Sequence, residues 1–197
     1  MNKIKSFFKA NGEIIIPTAV LTVICLVVTL ALSSANMLTE DKIKLLAEKS
    51  QNSAMSELIE ADKFETKTVA SENGETEYNE AVKDSETVGM IFVTQENGYG
   101  GTVSVMTAID TDGKVIAVKI LDASNETPGL GQNVTKESFY GQFSDLTGEI
   151  VAKKSGTAIA ENNEIDAVTG ATISSKAVTR AVNTALENAA KIISEGD

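Results

Sequence analysis

Asp166-Ala167-Val168-Thr169-Gly170-Ala171-Thr172-Ile173-Ser174-Ser175 is the stretch that organises the rest of the chain. It sets four hydroxyl side chains and a glycine directly after an acidic residue. A helical pattern follows at once, because apolar residues recur at three- and four-residue spacing: Val178, Val182, Ala185, Leu186 and Ala189. The hydroxyl cluster therefore stands at a helix entrance, where backbone N–H groups lack internal partners and the dipole is positive. Such an entrance is a natural seat for a phosphate, and Gly170 and Ala171 have too little bulk to block it.

Helix capping is the simplest alternative for these hydroxyls. Thr169, Thr172 and Ser174 each have a side-chain oxygen that can accept a backbone N–H at a helix N-terminus. The segment taken alone leaves both interpretations open, and the two are compatible.

The composition limits the chemistry of the chain. Its 197 residues include no histidine, no tryptophan and a single cysteine, Cys25, so an internal disulfide is impossible. Because thiolates and imidazoles are the usual ligands of zinc, iron–sulfur clusters and haem, those cofactors are not expected. Carboxylate sites for hard cations stay open in principle, but no spacing supports one, and we predict no metal site. The net charge of −11 argues against nucleic acid as a partner.

The N-terminal region has the features of a membrane anchor. Residues 14–39 carry no charged side chain, and the apolar core has the length of one helix across a bilayer. Residues 1–13 have a net charge of +2, whereas the remainder has −13. This asymmetry predicts a cytoplasmic N-terminus at 1–13, a transmembrane helix at 14–35 and an extracytoplasmic domain. A cleaved signal peptide is the alternative, although the apolar run is longer than a typical signal core.

A second helical pattern follows the apolar segment. Acidic residues at its start and a broken apolar face predict a membrane-proximal helix from about Leu38 to Glu60, within residues 36–62. Its expected role is a stalk that packs on the next domain. Residues 71–86 are polar and acidic, which predicts a solvated hairpin or loop.

Strand-like runs then predict an antiparallel sheet. They are Val88–Thr94, Thr102–Ile109 and Val115–Asp122, with Asp112-Gly113 as a turn. Shorter strands are expected at 151–154 and within 158–165, and a short helix with core aromatic residues at 139–143. A final helix is expected from about Ser174 to Ser194. The predicted fold class is α+β, with residues 63–197 as the folded domain.

Two glycine-rich elements lie in the loops of this domain. Gly98-Tyr99-Gly100-Gly101 separates the first two runs, and its glycines imply unusual backbone angles or close approach by another group. Glu126-Thr127-Pro128-Gly129-Leu130-Gly131 follows the third run and contains a Pro-Gly turn from which Leu130 can pack on a flat ring. As plain sequence, they are a hairpin loop and a Gly/Pro loop.

The three elements together resemble one family. Asp166, Ala167-Val168 and Thr169-Gly170-Ala171-Thr172 are similar to the flavinylation motif of the FMN-binding domain. That domain occurs in the G subunit of the Rnf electron-transport complex and in the C subunit of the sodium-pumping NADH:quinone oxidoreductase. The family pattern is an aspartate, two residues, then Ser/Thr-Gly-Ala-Thr. The Gly-Tyr-Gly-Gly and Glu-Thr-Pro-Gly-Leu-Gly elements belong to the same family. Asn125 departs from it, since some members have histidine nearby.

The resemblance implies that FMN is joined to Thr172 by a phosphoester bond, installed by a separate flavin transferase that uses FAD as donor. It assigns to cofactor binding Glu126, Thr127, Pro128, Gly129, Leu130, Gly131, Asp166, Thr169, Gly170, Ala171, Ser174 and Lys176, with Tyr99, Gly100 and Gly101 as a secondary set. Lys176 would neutralise the phosphate and Asp166 would align the motif; a solvated lysine and a turn carboxylate are the alternatives. No catalytic residue is expected, because the flavin ring carries the redox chemistry.

The resemblance also implies a place in an assembly. An Rnf complex passes electrons between reduced ferredoxin and NAD and couples this to Na⁺ or H⁺ export. The chain would be its electron-transfer subunit, bound to the other membrane and peripheral subunits. It would cross the cell membrane once, with the N-terminus in the cytoplasm.

Three alternatives stay open at this point. One keeps the flavin without the complex, as a stand-alone membrane-anchored redox protein or a flavin-based sensor. Another is a structural or interaction domain without redox chemistry. The third is a hydrolase with Thr169 or Thr172 as nucleophile, for which no base–orienter pair is visible.

Overall fold

The computed structural model describes residues 12–71 and 74–196. The chain divides after Ser50 into two compact units. The first contains the apolar segment, and the second contains the sheet and the C-terminal helix. The predicted cytoplasmic segment at 1–13 lies almost wholly outside the described residues.

Helix α1, Gly12–Leu58, is uninterrupted and includes most of both the predicted anchor and the predicted stalk. No glycine or proline occurs between Pro17 and Gly74, so nothing in the sequence breaks the helix where the two segments meet. Within α1, Ile16–Ser34 is long and apolar enough to cross a membrane, and the protein does not bury it. By length and composition alone, a signal sequence has the same features.

Five strands form an antiparallel sheet in simple chain order. They are β1 Lys63–Ser71, β2 Gly74–Lys83, β3 Glu86–Asn97, β4 Thr102–Ile109 and β5 Val115–Asp122. Strands β4 and β5 have the predicted bounds, and β3 is longer than predicted at both ends. The turn between β4 and β5 contains Gly113 at a φ of +80°, a conformation that glycine adopts without strain.

The acidic stretch predicted as a solvated hairpin or loop is part of a regular hairpin in which β2 pairs along β1. Its polar residues are exposed or half-buried, whereas Tyr78, Ala81 and Val82 are buried. The pairing of β2 with β3 shifts register between Ala81 and Val82, as at a β-bulge. Residues 72 and 73 lie outside the described residues.

Both faces of the sheet are covered. Helix α3, Thr172–Gly196, packs on one face, where Val178, Val182 and Leu186 join the larger core cluster. The end of α1 packs on the other face, where Met55 and Ile59 join a smaller cluster. A sheet covered on both sides gives the loops at its end a firm support.

The connection from β5 to α3 is made of short elements. A 3₁₀ turn at Gly131–Thr135 precedes helix α2, Glu137–Tyr140, and a second 3₁₀ turn at Gly141–Phe143. The rings of Phe139 and Phe143 are buried and meet edge to face, with centroids 5.8 Å apart.

A small parallel pair of strands leads into the hydroxyl-rich motif. Strand β6, Val151–Lys153, pairs with β7, Glu164–Asp166. A third 3₁₀ turn, Ala160–Asn162, precedes β7, and the part of the predicted strand at 158–159 is not a strand. Strand β7 ends at Asp166, so the motif begins where the chain leaves this sheet.

Candidate functional site

Three separate sequence elements meet at one end of the five-stranded sheet. Strand β4 begins beside the end of β5, where Ser104 pairs with Asp122. The loop that precedes β4 is therefore a neighbour of the segment that follows β5. The start of α3 joins them through a hydrogen bond from Ser174 to Glu126.

The Glu126 carboxylate connects all three elements. Its Oε1 accepts the backbone N–H of Tyr99 at 2.8 Å and that of Gly100 at 3.2 Å. Its Oε2 accepts the hydroxyl of Ser174 at 2.7 Å. Only 2% of Glu126 is exposed. The side chain therefore arranges the backbone around the site and does not present itself to a ligand.

The glycines around this carboxylate are required by space. A Cβ on Gly98 would lie 2.0 Å from Glu126 Oε1, and one on Gly131 would lie 2.5 Å from Oε2. A Cβ on Gly101 would lie 2.7 Å from the Cβ of Asn125. Real Cβ atoms do not approach so closely, so a side chain at these positions would displace the Glu126 carboxylate or push the loops apart.

A tight turn delivers the chain into α3. Ala171 donates its N–H to the carbonyl of Val168 at 2.9 Å, and Gly170 has a φ of +78°. A positive φ at the third position of such a turn favours glycine. Ser175 reinforces the turn, because its Oγ accepts the N–H of Val168 and donates to the carbonyl of Ala171, each at 2.9 Å. The serine that supports this N-terminus is thus Ser175, which was not among the predicted caps.

Asp166 supports a neighbouring loop. Its Oδ1 accepts the N–H groups of Thr157 and Ala158, each at 3.0 Å. Its own N–H donates to Gln142 Oε1 at 2.8 Å, and Gln142 Nε2 donates to the carbonyl of Asp166 at 3.2 Å. These contacts match the alternative in which Asp166 is a turn carboxylate.

Thr172 is the first residue of α3, and its side chain is exposed. Within the described part of the chain, its hydroxyl has no hydrogen-bond partner. Across residues 12–71 and 74–196, the N–H groups of Thr172, Ile173 and Ser174 have no acceptor either, as expected for a first helical turn. One free hydroxyl and three free donors therefore lie together at the positive end of a helix of 25 residues.

An open cleft of about 540 Å³ lies beside this helix start. It is lined by Tyr99, Thr127, Leu130, Gly131, Gly170, Ala171, Thr172, Ile173 and Ser174. Three large side chains in it are unusually exposed: Tyr99 at 71%, Leu130 at 46% and Ile173 at 53%. An exposed apolar patch beside free polar donors is typical of a ligand site.

The Glu126–Gly131 loop shapes one wall of the cleft. The carbonyl of Thr127 accepts the N–H groups of Leu130 and Gln132, each at 3.2 Å. Gly129 has a φ of +73°, and an added Cβ there would meet nothing within 4 Å. Pro128 is exposed in the same turn. The loop thus projects Leu130 into the cleft, as the Pro-Gly turn predicts.

Thr169 and Lys176 are among the predicted residues that do not line the cleft. Thr169 is exposed and lines a polar cavity of about 520 Å³ together with Lys136 and Asp166. Lys176 is exposed and lines a shallow cavity with Arg180. The structure therefore brings neither side chain to the cleft that Thr172 lines.

Sequence reasoning missed Ile173 and Gln142. Ile173 had one usable signal, because an isoleucine directly after Thr172 interrupts a run of hydroxyls at a position too early to face the core. Gln142 had none, since its two hydrogen bonds to the Asp166 backbone depend on the chain returning from 24 residues away.

The arrangement suits a ligand with a phosphate and a flat apolar ring. The three N–H groups and the helix dipole favour an anion at Thr172. Tyr99, Leu130 and Ile173 offer apolar contact within the same cleft. Among the described residues, no side chain that lines the cleft is a carboxylate, an imidazole or a thiol.

Residues 98–187 match the FMN-binding domain family, and they include all three elements of the site. The fold and the cleft thus define an FMN-binding domain. The G subunit of the proton-translocating ferredoxin:NAD(+) oxidoreductase complex of Clostridium ljungdahlii is 36% identical over 183 residues, 91% of this chain and 93% of that protein. The chain belongs to the family of G subunits of ion-translocating ferredoxin:NAD(+) oxidoreductase complexes.

A second relative and a solved structure are also similar to this chain. The G subunit of the Na(+)-translocating complex of Acetobacterium woodii is 35% identical over 185 residues, 85% of this chain and 87% of that protein. A solved structure of the C subunit of the Na(+)-translocating NADH-quinone reductase from Parabacteroides distasonis has a TM-score of 0.54 at 22% identity, covering 61% of this chain and 64% of that one. That likeness shows a shared fold, and the predicted α+β class with an apolar N-terminal helix is confirmed.

Proposed function

We propose that this chain is a membrane-anchored electron-transfer subunit that carries FMN covalently on Thr172, within an ion-translocating ferredoxin:NAD oxidoreductase complex. One observation carries the attachment: the Thr172 hydroxyl is exposed and unpartnered among the described residues, at the edge of an apolar cleft. The relatives' names support the assembly, because those proteins are subunits of such complexes.

The proposed attachment is a group transfer catalysed by a separate flavin transferase, with FAD as donor. Thr172 Oγ forms a bond to the phosphorus of the FMN half, and the bond from that phosphorus to the oxygen of the AMP half breaks. AMP leaves, the threonine proton passes to a base of the transferase or to solvent, and no electron moves. The product keeps one negative charge, which the start of α3 stabilises.

The residues of the cleft have distinct roles in this proposal. The N–H groups of Thr172, Ile173 and Ser174 bind the phosphate, which has no lysine to neutralise it within the cleft lining. Tyr99 and Leu130 contact the ring and exclude water from it. The bound FMN supplies reversible electron transfer, while the protein supplies position and electrostatics.

The proposed membrane anchor gives a physical reason for binding the flavin covalently. Residues 14–35 would cross the membrane, with 1–13 in the cytoplasm and residues 36–62 leading to the domain at 63–197 outside it. A flavin held only by weak contacts would diffuse away there, whereas a phosphoester keeps one cofactor on each chain. A membrane-impermeant protease applied to whole spheroplasts should degrade the domain; protection of the domain would reverse the topology.

The attachment is tested by intact mass after co-expression with a flavin transferase. The wild-type chain and Thr172→Ser should carry the added mass of one FMN, and their denatured bands should fluoresce under ultraviolet light. Thr172→Ala should carry neither signal. Thr169→Ala is the matched control, because it removes an exposed threonine three residues away that does not line the cleft. An adduct on Thr172→Ala would place the bond on another hydroxyl.

Membership of a complex is tested separately. An affinity-tagged chain expressed in its own cell should co-purify with multi-span membrane subunits in stoichiometric amounts. Purification of the flavinylated chain alone under mild detergent would favour the stand-alone redox protein or sensor.

A further inference from the structure

Glu126 is a buried carboxylate directly behind the wall of the cleft. Gly131 and Ser174 line the cleft, and Glu126 Oε2 contacts both of them from the inner side. All of its hydrogen-bond donors are uncharged: two backbone N–H groups and one hydroxyl. Among the described residues, no lysine or arginine forms an ion pair with it. An acceptor-only carboxylate matches these three donors.

We infer that Glu126 is a positioning residue that holds the Tyr99 loop against the start of α3 and places a fixed negative charge behind the flavin. This inference rests on the proposed function. Its first part follows from the hydrogen bonds. Glu126 Oε1 binds the loop at Tyr99, and Oε2 binds the helix at Ser174, 48 residues after Glu126 in the chain. Tyr99 and Thr172 both line the cleft, and this carboxylate bonds both to the Tyr99 backbone and to Ser174 in the helix that Thr172 begins, so it fixes the distance between the two elements.

The second part follows from electrostatics. Electrons added to the ring raise its negative charge, and a nearby buried anion opposes this more strongly than it would in water. No cationic partner cancels the Glu126 charge within residues 12–71 and 74–196. The reduction potential of the attached flavin is therefore lower than it would be with a neutral side chain, which is the tuning that nearby charges exert on flavins.

The substitution Glu126→Gln separates the positioning role of Glu126 from its electrostatic role. In Glu126→Gln the amide oxygen still accepts the N–H groups of Tyr99 and Gly100, and the amide nitrogen can donate to Ser174 Oγ. The loops stay joined while the charge is lost. In Glu126→Ala both the charge and the bonds are lost, and Ser174→Ala removes only the bond to the helix. Glu149→Gln is the matched control, since it removes the same charge from an exposed residue that does not line the cleft.

The loop arm of the experiment uses the full chain without flavin and measures amide hydrogen exchange. In Glu126→Ala the amides of Tyr99 and Gly100 should exchange about tenfold faster or more, because two charge-assisted bonds are absent. In Glu126→Gln and Glu149→Gln they should stay protected. Should Glu126→Ala fail to fold, Ser174→Ala replaces it, with faster exchange at Tyr99 as the expected result. Wild-type exchange in the folded variant would overturn the inference.

The charge arm uses the flavinylated chain and measures the midpoint potential. The potential of Glu126→Gln should rise above that of the wild type, while Glu149→Gln should leave it unchanged. Equal potentials in the wild type and Glu126→Gln would also overturn the inference. A wild-type chain that carries no flavin would instead refute the proposed function, and the exchange arm would still decide whether Glu126 joins the loop to the helix.

Discussion

The Cα of Gly100 lies so close to the backbone carbonyl of Asn125 that a Cβ on Gly100 would come within 2.0 Å of that oxygen. The obstacle is backbone, so no side-chain rotation can relieve the clash. The loop between β3 and β4 and the segment after β5 are thus packed main chain against main chain, and the glycine is the reason that they can be.

Gly100→Ala should therefore destabilise the fold by about 1–3 kcal/mol, the usual range for forcing an extra methyl group into a packed site. Denaturant unfolding of the chain without flavin measures this as a lower midpoint with an unchanged slope. Gly141→Ala is the control, because an added Cβ there would meet only the flexible Glu137 side chain, at 3.8 Å. Equal midpoints for the two variants would contradict the contact.

Much of the fold follows from local sequence. Strands β4 and β5 and the turn between them matched the expected bounds because alternating β-branched residues meet an Asp-Gly pair. Strand β1, Lys63–Ser71, gave a weaker signal: charged and hydroxyl residues alternate from Glu65 to Thr68, and the segment pairs along its whole length with β2. Such pairing is a property of the tertiary structure and leaves little trace in a single segment.

The sequence motifs of the site could be predicted, but the hydrogen bonds between its elements could not. The exposure of Leu130 in the cleft follows from its place after Pro-Gly. The role of Glu126 does not, because its partners are 27 residues earlier and 48 residues later in the chain. The resemblance assigns Glu126 to cofactor binding, and in the structure its carboxylate bonds to the backbone of Tyr99 and Gly100. The position of Lys176 outside the cleft depends on how α3 is rotated, and that of Thr169 on the turn before α3; spacing alone fixed neither.

The phenol of Tyr78 makes the free energy of unfolding depend on pH in the alkaline range. Its ring stacks on Phe92 with centroids 5.5 Å apart, and burial raises the pKa of its phenol above the usual value of about 10. The folded state therefore keeps the proton longer than the unfolded state. This contribution is complete below pH of about 10 and is lost as pH rises through the higher folded pKa.

Tyr78→Phe should remove that dependence while keeping the stacked ring. The unfolding free energy of the wild type should fall more steeply than that of Tyr78→Phe from about pH 9.5 to 11, a window around the usual phenol pKa. The hydrogen bond to Glu80 also raises the pKa of Lys67, so the contribution of Lys67 to stability is likewise lost as the pH rises. The part of the Lys67 shift that Glu80 causes cancels in the comparison, because both chains contain Lys67 and Glu80, whereas the smaller coupling between Lys67 and Tyr78 is removed together with the phenol. Parallel pH profiles would show that the phenol is not desolvated.

Asp166 offers a test between support of a loop and a part in flavin attachment. Asp166→Asn keeps an oxygen that can accept the N–H groups of Thr157 and Ala158, whereas Asp166→Ala leaves both donors without it. We expect Asp166→Ala to lose about 1–3 kcal/mol of stability and Asp166→Asn to lose less. Asp166→Asn should still reach the wild-type extent of flavin attachment, measured by intact mass. A stable Asp166→Asn that acquires no flavin would show that the transferase reaction needs the carboxylate charge.

On the proposed attachment of FMN to Thr172, the apolar wall of the cleft should restrain the flavin ring. Leu130 and Tyr99 are exposed by 46% and 71%, and their exposure means that truncation removes few contacts within the protein itself. Leu130→Ala and Tyr99→Ala should therefore stay within about 1 kcal/mol of wild-type stability. With FMN on Thr172, the flavin of each variant should show lower fluorescence anisotropy, because a tethered ring without its contact surface reorients faster than the protein tumbles. Leu121→Ala is the control, since Leu121 has a similar exposure of 41% but does not line the cleft. Wild-type anisotropy in both cleft variants would mean that the ring lies elsewhere, held by the phosphoester alone.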